Sequence, residues 1–144
     1  MKTTEAEAAR RVGNLAARDP FAKLVGIECE HGGLGYAKVR LQVRAEHLNF
    51  NGSCHGAVIF ALADTAFGLA SNSYGVIAAG IDAHITYHVP AAAGDVLSAT
   101  ATEVSRSRKL AVYRIDVTRA DGMITTAFTG TVYLSSRPTD APGG

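Results

Sequence analysis

Residues 49–56 read NFNGSCHG, and residues 57–70 continue as AVIFALADTAFGLA. The first stretch is a polar loop containing glycine, whereas the second is rich in Ala and contains no proline. The second stretch is too long for a single strand, so we expect a helix that starts at Gly56. From Gly56 to Ala70 the one charged side chain is Asp64. A helix that is apolar on nearly every side is predicted to be buried.

The carboxylate of Asp64 is the unusual feature of this helix. Burying an ionised carboxylate is costly unless the group is paired. The Asp64 carboxylate therefore either accepts hydrogen bonds from nearby backbone or solvent, or takes part in a reaction. Its position in the sequence alone does not decide between these two roles. A membrane span is excluded, because such a helix needs about 20 apolar residues and rarely carries a carboxylate at its centre.

The composition limits the classes of partner. The chain has 144 residues, which suits a single domain, with 14 Lys and Arg against 13 Asp and Glu. This balance argues against nucleic acid or an acidic membrane surface as a partner. Two cysteines, Cys29 and Cys54, are too few for a disulfide framework, and the N-terminus lacks the apolar run of a secretory signal. We therefore expect a cytoplasmic protein.

The rest of the chain shows helix and strand signals in a simple order. Thr4 and Glu7 form a capping box that predicts a helix to residue 17, with one more helical turn near residues 21–25. Alternating apolar and polar residues predict strands over residues 36–43 and 110–119. Runs rich in β-branched residues and turn signals predict four more, over residues 27–30, 76–89, 96–104 and 123–135. One domain over residues 1–135 and a disordered tail over 136–144 follow. The fold class is predicted as α+β, with an antiparallel sheet curled around the buried helix.

Two other groups of residues fail as sites. Asp82, His84 and His88 suggest a metal, but His84 and His88 would lie about 13 Å apart in a strand that rises about 3.3 Å per residue. They cannot share one zinc ion with bonds of about 2 Å, so we predict no metal site. Cys54 next to His55 suggests a cysteine nucleophile. Sequence neighbours rarely face each other productively, and no third group orients the imidazole.

Asn49, His55-Gly56, Asp64 and the later Pro90-Ala91-x2-Gly94-Asp95 together resemble the hot-dog-fold acyl-CoA thioesterases, most closely the phenylacetate-degradation type. The resemblance covers residues 21–134. It implies hydrolysis of a small aryl or short- to medium-chain acyl-CoA to the free acid and coenzyme A. Coenzyme A would be part of the substrate, and no separate cofactor is implied. The alternatives are a hydratase or dehydratase of the same fold and a non-catalytic acyl-CoA-binding sensor.

The resemblance also implies roles for four residues. The Gly56 amide would stabilise the oxyanion, His55 would shape that end of the site, and Asn49 would hold the attacking water or the carbonyl. Asp64 would act as a general base or as a nucleophile. Thr65 is a weak candidate for a supporting hydroxyl, because the position one turn after Asp64 is Gly68.

These roles, combined with helix geometry, predict a shared site. Asp64 lies eight residues after Gly56, which is about 12 Å along the helix axis. A reacting carbonyl must lie within about 3 Å of both groups, so they must come from two chains. We expect a symmetric dimer with two sites at its interface and the strand over 76–89 paired across the two-fold axis. Whether such dimers form a tetramer is left open.

The expected binding residues lie on a turn and on the helix. Arg106, Arg108 and Lys109 cluster between two strands and are candidates for the coenzyme A phosphates, although a solvated basic turn explains them equally well. The acyl group is expected beside the helix, near Phe60, Leu62 and Phe67, residue types that more often belong to a core.

Overall fold

The computed structural model describes residues 2–140. In this range the helices are α1 (Glu5–Ala17), α2 (Pro20–Val25) and α3 (Gly56–Ser71), with a short 3-10 helix at Ala45–His47. The strands are β1 (Glu28–Gly33), β2 (Tyr36–Gln42), β3 (Val76–Tyr87), β4 (Val96–Arg106), β5 (Leu110–Thr118) and β6 (Ile124–Pro138). Each predicted helix and strand is present, with shifted ends. No helix among these residues has the length and apolar character needed to cross a membrane.

The first two helices begin where their capping residues place them. The Thr4 hydroxyl accepts the Glu7 N–H, and the Glu7 carboxylate accepts the Thr4 N–H, so the predicted capping box is confirmed. The Asp19 carboxylate accepts the Ala22 N–H at 3.0 Å and starts α2, whose first residue is proline. Arg18 and Asp19 therefore separate α1 from α2.

The six strands form one antiparallel sheet in the order β1-β2-β4-β5-β6-β3. Helix α3 packs mainly against β2, β4 and β5, and α1 packs along β1. Ala37, Ala99 and Ala101 are fully buried on the strands that face α3, and their small side chains let the helix approach the sheet. The predicted α+β class, a sheet around one long helix, is confirmed.

The burial of α3 is less complete than the sequence predicts. Leu62, Ala63 and Ala66 are fully buried, but Ala57, Asp64 and Gly68 are exposed and lie along one side of the helix. The prediction of burial on nearly every side is wrong for this stripe, because the sheet covers the helix from one direction only. We call Ala57, Asp64 and Gly68 the open stripe of α3.

The end of the chain is more ordered than predicted. Strand β6 continues to Pro138, which pairs with Val76, and the Thr139 N–H donates to the Gly75 carbonyl at 3.1 Å. The predicted start of a disordered tail at Ser136 is therefore wrong, because residues 136–138 belong to the ladder with β3. Residues 141–144, the rest of that predicted tail, lie outside the described residues.

Strand β3 is an edge of the sheet. It pairs with β6 on one side, and within residues 2–140 no strand lies on its other side. Twelve residues long, it carries an Ile81 side chain that is 60% exposed. A long, apolar, uncovered edge is ready to pair with another strand.

Phe67 joins α3 to the sheet. Its ring centroid lies 5.9 Å from that of Tyr113 and 5.6 Å from that of Phe128. A β-carbon at Gly130 would lie 2.6 Å from the Phe67 ring, and one at Gly80 would lie 3.2 Å from it. These glycines interrupt β6 and β3 because the aromatic ring occupies the space of a side chain.

We expect Phe67→Ala to lower the free energy of unfolding by about 3–5 kcal/mol, because it removes a buried ring and leaves a cavity. Leu24→Ala is the control: that side chain is 76% exposed, and its removal should change the free energy by no more than about 0.5 kcal/mol. Urea unfolding at one fixed protein concentration measures both. Similar losses in the two variants would contradict this account of the core.

Candidate active site

The start of α3 is capped by a histidine. The His55 Nδ1 atom accepts the Ala57 N–H at 3.0 Å, so the neutral imidazole carries its proton on Nε2. The His55 backbone is extended, with φ −59° and ψ 134°, and the chain becomes helical at Gly56. His55 thus shapes the first turn of α3 and keeps an Nε2–H donor for another partner.

The peptide between His55 and Gly56 is arranged as a hydrogen-bond donor. Its carbonyl oxygen accepts the N–H groups of Val58 at 3.0 Å and Ile59 at 3.3 Å. The Gly56 N–H finds no acceptor anywhere in residues 2–140. An unpaired N–H at the positive end of a 16-residue helix suits a developing oxyanion.

Tyr87 fixes the other side of Gly56. Its hydroxyl donates to the Gly56 carbonyl at 3.1 Å, and a β-carbon at Gly56 would lie 3.4 Å from its ring. Burial raises the pKa of the Tyr87 phenol, so it is a neutral donor at physiological pH. Sequence analysis missed this residue, because the contact joins positions 31 residues apart.

The side-chain oxygen of Asn49 accepts hydrogen bonds from its own loop. That oxygen accepts the N–H groups of Asn51 at 2.9 Å and Ser53 at 3.1 Å. Its amide NH2 group has no acceptor in the part of the chain that the structure describes. Asn49, Gly56 and Tyr87 line one cleft of about 250 Å³, which we call the Gly56 cleft.

Asp64 lies in a different and larger cleft of about 680 Å³, the Asp64 cleft. Its walls come from the α1–α2 junction, α3, and the facing ends of β3 and β6, and they include Leu15, Phe21, Leu69 and Ile77. The structure gives the carboxylate no hydrogen bond and no ion pair within residues 2–140. Although the side chain is exposed at the cleft mouth, these apolar walls remove enough water to raise its pKa above the ordinary value.

The two clefts share no residue, so one chain presents the donor and the carboxylate in separate places.

Thr65 lines the Asp64 cleft, but its hydroxyl donates to the Ala61 carbonyl at 2.7 Å and can only accept from a substrate. At Gly68 a β-carbon would meet nothing within 4 Å, so this position leaves room beside Asp64.

The basic turn lies apart from both clefts. Arg106 stacks on the Tyr74 ring, 3.8 Å from its centroid, and forms an ion pair with Glu103. Neither the Gly56 cleft nor the Asp64 cleft includes Arg106, Arg108 or Lys109. Their role with phosphates stays a prediction.

The residues expected beside the acyl group lie in the core. Leu62 and Phe67 are buried, and Phe60 packs against the core with its ring edge toward Phe128. None of the three lines the Asp64 cleft.

The structure gives further physical evidence on the cysteine nucleophile and the metal site that the sequence analysis rejected. Cys54 is 5% exposed, and burial, with a smaller contribution from Asp95, raises the pKa of its thiol to about 11, so it is a neutral thiol at physiological pH. No set of three or more His, Cys, Asp or Glu side chains within residues 2–140 is arranged to hold a metal ion.

Comparison with known proteins identifies the family. The model of the thioesterase superfamily matches residues 51–126, the part that contains Gly56 and Asp64. The chain belongs to the thioesterase superfamily. This match spans the whole of α3 and most of the sheet.

Relatives of this thioesterase define the subgroup. The acyl-coenzyme A thioesterase PaaI of Escherichia coli is 38% identical over 112 residues, which are 78% of this chain and 80% of that protein. A protein of Archaeoglobus fulgidus is 46% identical over 99 residues, 69% of this chain but less than two thirds, 64%, of its own length.

Solved structures agree with this subgroup. The structure of E. coli PaaI, described as from the phenylacetic acid degradation operon, superimposes with a TM-score of 0.91 at 32% identity, covering 94% of this chain and 99% of that one. A Streptococcus mutans protein solved with bound acetyl-CoA has a TM-score of 0.74 at 27% identity, covering 78% of this chain and 90% of that one.

The thioesterase is therefore of the PaaI type, with a hot-dog fold. The predicted family, fold and enzyme class, a thioester hydrolase acting on acyl-CoA, are confirmed.

Proposed function

We propose that the enzyme hydrolyses a small acyl-CoA, with Asp64 of one subunit acting opposite the Gly56 amide of its partner. One observation carries the proposal. The unpaired Gly56 N–H and the Asp64 carboxylate lie on one helix, about 12 Å apart along its axis, in two clefts without a common residue. Each chain thus holds two half-sites, and a two-fold axis between antiparallel α3 helices would join them in pairs.

Two uncovered surfaces support a partner on this side of the chain. The open stripe of α3 exposes Ala57 and Gly68 next to Asp64, and these small residues allow a second helix to approach closely. The free edge of β3 offers a strand that a second β3 can pair with. We propose a homodimer with one continuous sheet; a tetramer built from such dimers is compatible with it. The cytoplasmic location remains a prediction, consistent with the free thiols of Cys29 and Cys54.

The reaction follows from the charges at the two half-sites. The ionised Asp64 takes a proton from water as the water oxygen attacks the thioester carbonyl, and the carbonyl oxygen becomes an oxyanion facing the partner's Gly56 amide. The C–S bond then breaks, and the proton passes from Asp64 to the departing thiolate. Direct attack by Asp64, giving a mixed anhydride that water then cleaves, uses the same groups. The His55 Nε2–H and the Asn49 amide are donors available to the carbonyl or the water.

The substrate class follows from the cleft walls. Leu15, Phe21, Leu69 and Ile77 form the apolar part of the Asp64 cleft lining, which suits a short or aryl acyl group. The acetyl-CoA bound to the S. mutans neighbour supports coenzyme A as the carrier. Arg106, Arg108 and Lys109 remain proposed contacts for its phosphates.

We expect Asp64→Asn to reduce turnover of an acyl-CoA panel, measured as released thiol, at least about 10²-fold while the protein stays folded. In the wild type, kcat/KM should fall as the pH drops through the pKa of Asp64, because the base acts only when ionised. Since desolvation raises this pKa, the fall should come at a higher pH than for an ordinary aspartate. Equal turnover in variant and wild type would refute the role of Asp64.

Gly56→Pro tests the amide donor directly, because proline has no N–H. Proline is well accepted as the first residue of a helix, and the extended His55 already has the conformation that a residue before proline prefers. We expect a folded protein with kcat lower by about 10²–10³-fold. Gly56→Ala keeps the N–H and is the matched control. A Gly56→Pro enzyme as active as Gly56→Ala would remove the amide from the mechanism.

Mixing the two inactive variants tests whether the site is shared. In a heterodimer of Asp64→Asn and Gly56→Pro chains, one site loses both groups and the other retains both. Random reassembly after unfolding and refolding should restore about a quarter of wild-type turnover, because half of the dimers are mixed and each has one intact site. If each chain built its own site, the mixture would stay inactive.

A further inference from the structure

Two arginines from opposite ends of the chain line the Asp64 cleft. Arg18 is the C-cap of α1, two residues before α2 begins, and Arg137 lies near the end of β6. Neither was singled out by the sequence, since Arg18 ends an amphipathic helix and Arg137 lies in the region predicted to be a disordered tail.

Among the described residues, neither guanidinium group has a protein partner. Most other arginines are paired with carboxylates; these pairs are Arg11–Asp140, Arg40–Glu30, Arg44–Glu46, Arg106–Glu103, Arg114–Asp116 and Arg119–Asp121. Within residues 2–140, the side chains of Arg18 and Arg137 take part in no ion pair or hydrogen bond. The neighbouring Asp19 carboxylate is occupied by the cap of α2. The cleft thus holds two positive charges with unused donors.

We propose that Arg18 and Arg137 form an anion-binding subsite of the Asp64 cleft, which holds an oxyanion of the substrate away from the thioester. The proposal rests on the proposed function, because it places the substrate in this cleft. A guanidinium group binds the two oxygens of a carboxylate or phosphate with paired hydrogen bonds. The walls at Leu15, Phe21 and Leu69 would hold the uncharged part of the substrate, while the two exposed arginine side chains remain accessible to its charged group.

Two parts of an acyl-CoA carry such an oxyanion. One is a carboxylate at the far end of the acyl group, as in the thioester of a dicarboxylic acid. The other is a phosphate of the coenzyme A moiety. Both present the same chemistry to an arginine, so the experiment must separate them by changing one end of the substrate at a time.

The test measures binding by calorimetry in the Asp64→Asn background, where slow turnover leaves the ligand intact. The ligands are glutaryl-CoA, pentanoyl-CoA, which has the same chain length without the carboxylate, and the N-acetylcysteamine thioesters of both acids, which lack phosphates. Arg18→Gln and Arg137→Gln remove the charge and keep most of the side-chain stem. Arg10→Gln is the matched control, because Arg10 is exposed on α1 and lines neither cleft.

We expect each of the two cleft variants to weaken binding about tenfold relative to Arg10→Gln. If the subsite binds the acyl carboxylate, the loss occurs with both glutaryl thioesters and with neither pentanoyl thioester. If it binds a phosphate, the loss occurs with both CoA thioesters and with neither N-acetylcysteamine thioester. Unchanged affinity for all four ligands, or no binding of any of them, would overturn the proposal. A wild type that binds acyl-CoA but releases no thiol would instead refute the proposed hydrolysis.

Discussion

The rise of an α-helix, about 1.5 Å per residue, is the constraint on which the proposed site depends. Helix α3 is stiff, and it is held against β2, β4 and β5 by buried side chains along its length. The distance between its first amide and its central carboxylate therefore cannot shorten within one chain. A chemical step that needs both groups at one carbonyl requires a second helix, and the open stripe of α3 and the free edge of β3 lie where a second chain can bind.

The same helix creates two different electrostatic environments. At its start, the Gly56 N–H has no acceptor within residues 2–140, the carbonyl of the same peptide accepts two backbone N–H groups, and the helix dipole adds positive potential. At its centre, Asp64 lies among apolar walls that disfavour its charged form. The start of the helix suits the stabilisation of a developing negative charge, and its centre holds a carboxylate more basic than usual. His55 and Tyr87 hold the first turn of α3 in place through hydrogen bonds of 3.0 and 3.1 Å.

Features that depend on residues close in sequence could be predicted well. The capping box of Thr4 and Glu7 and the strands of alternating pattern all appear, because hydrogen bonding and side-chain periodicity within a segment decide them. The position of Asp64 in α3 and the His-Gly start of that helix were also readable from spacing. The limits of this reasoning are visible at residues 136–138, where polar and proline residues suggested disorder. Pairing with β3 keeps them in a strand.

By itself, then, the sequence determined the elements, the family resemblance and the axial separation between Gly56 and Asp64. The elements and the separation are properties of continuous segments, and the resemblance rests on motifs whose spacing is read along the chain. Only the tertiary structure decided which distant residues meet. It brought Tyr87 to the Gly56 carbonyl, placed Arg18 and Arg137 in the lining of the cleft that contains Asp64, and stacked Arg106 on the Tyr74 ring. These contacts join segments tens of residues apart, and they arise from how the sheet curls and where the ends of β3 and β6 lie, which no local pattern of residues encodes.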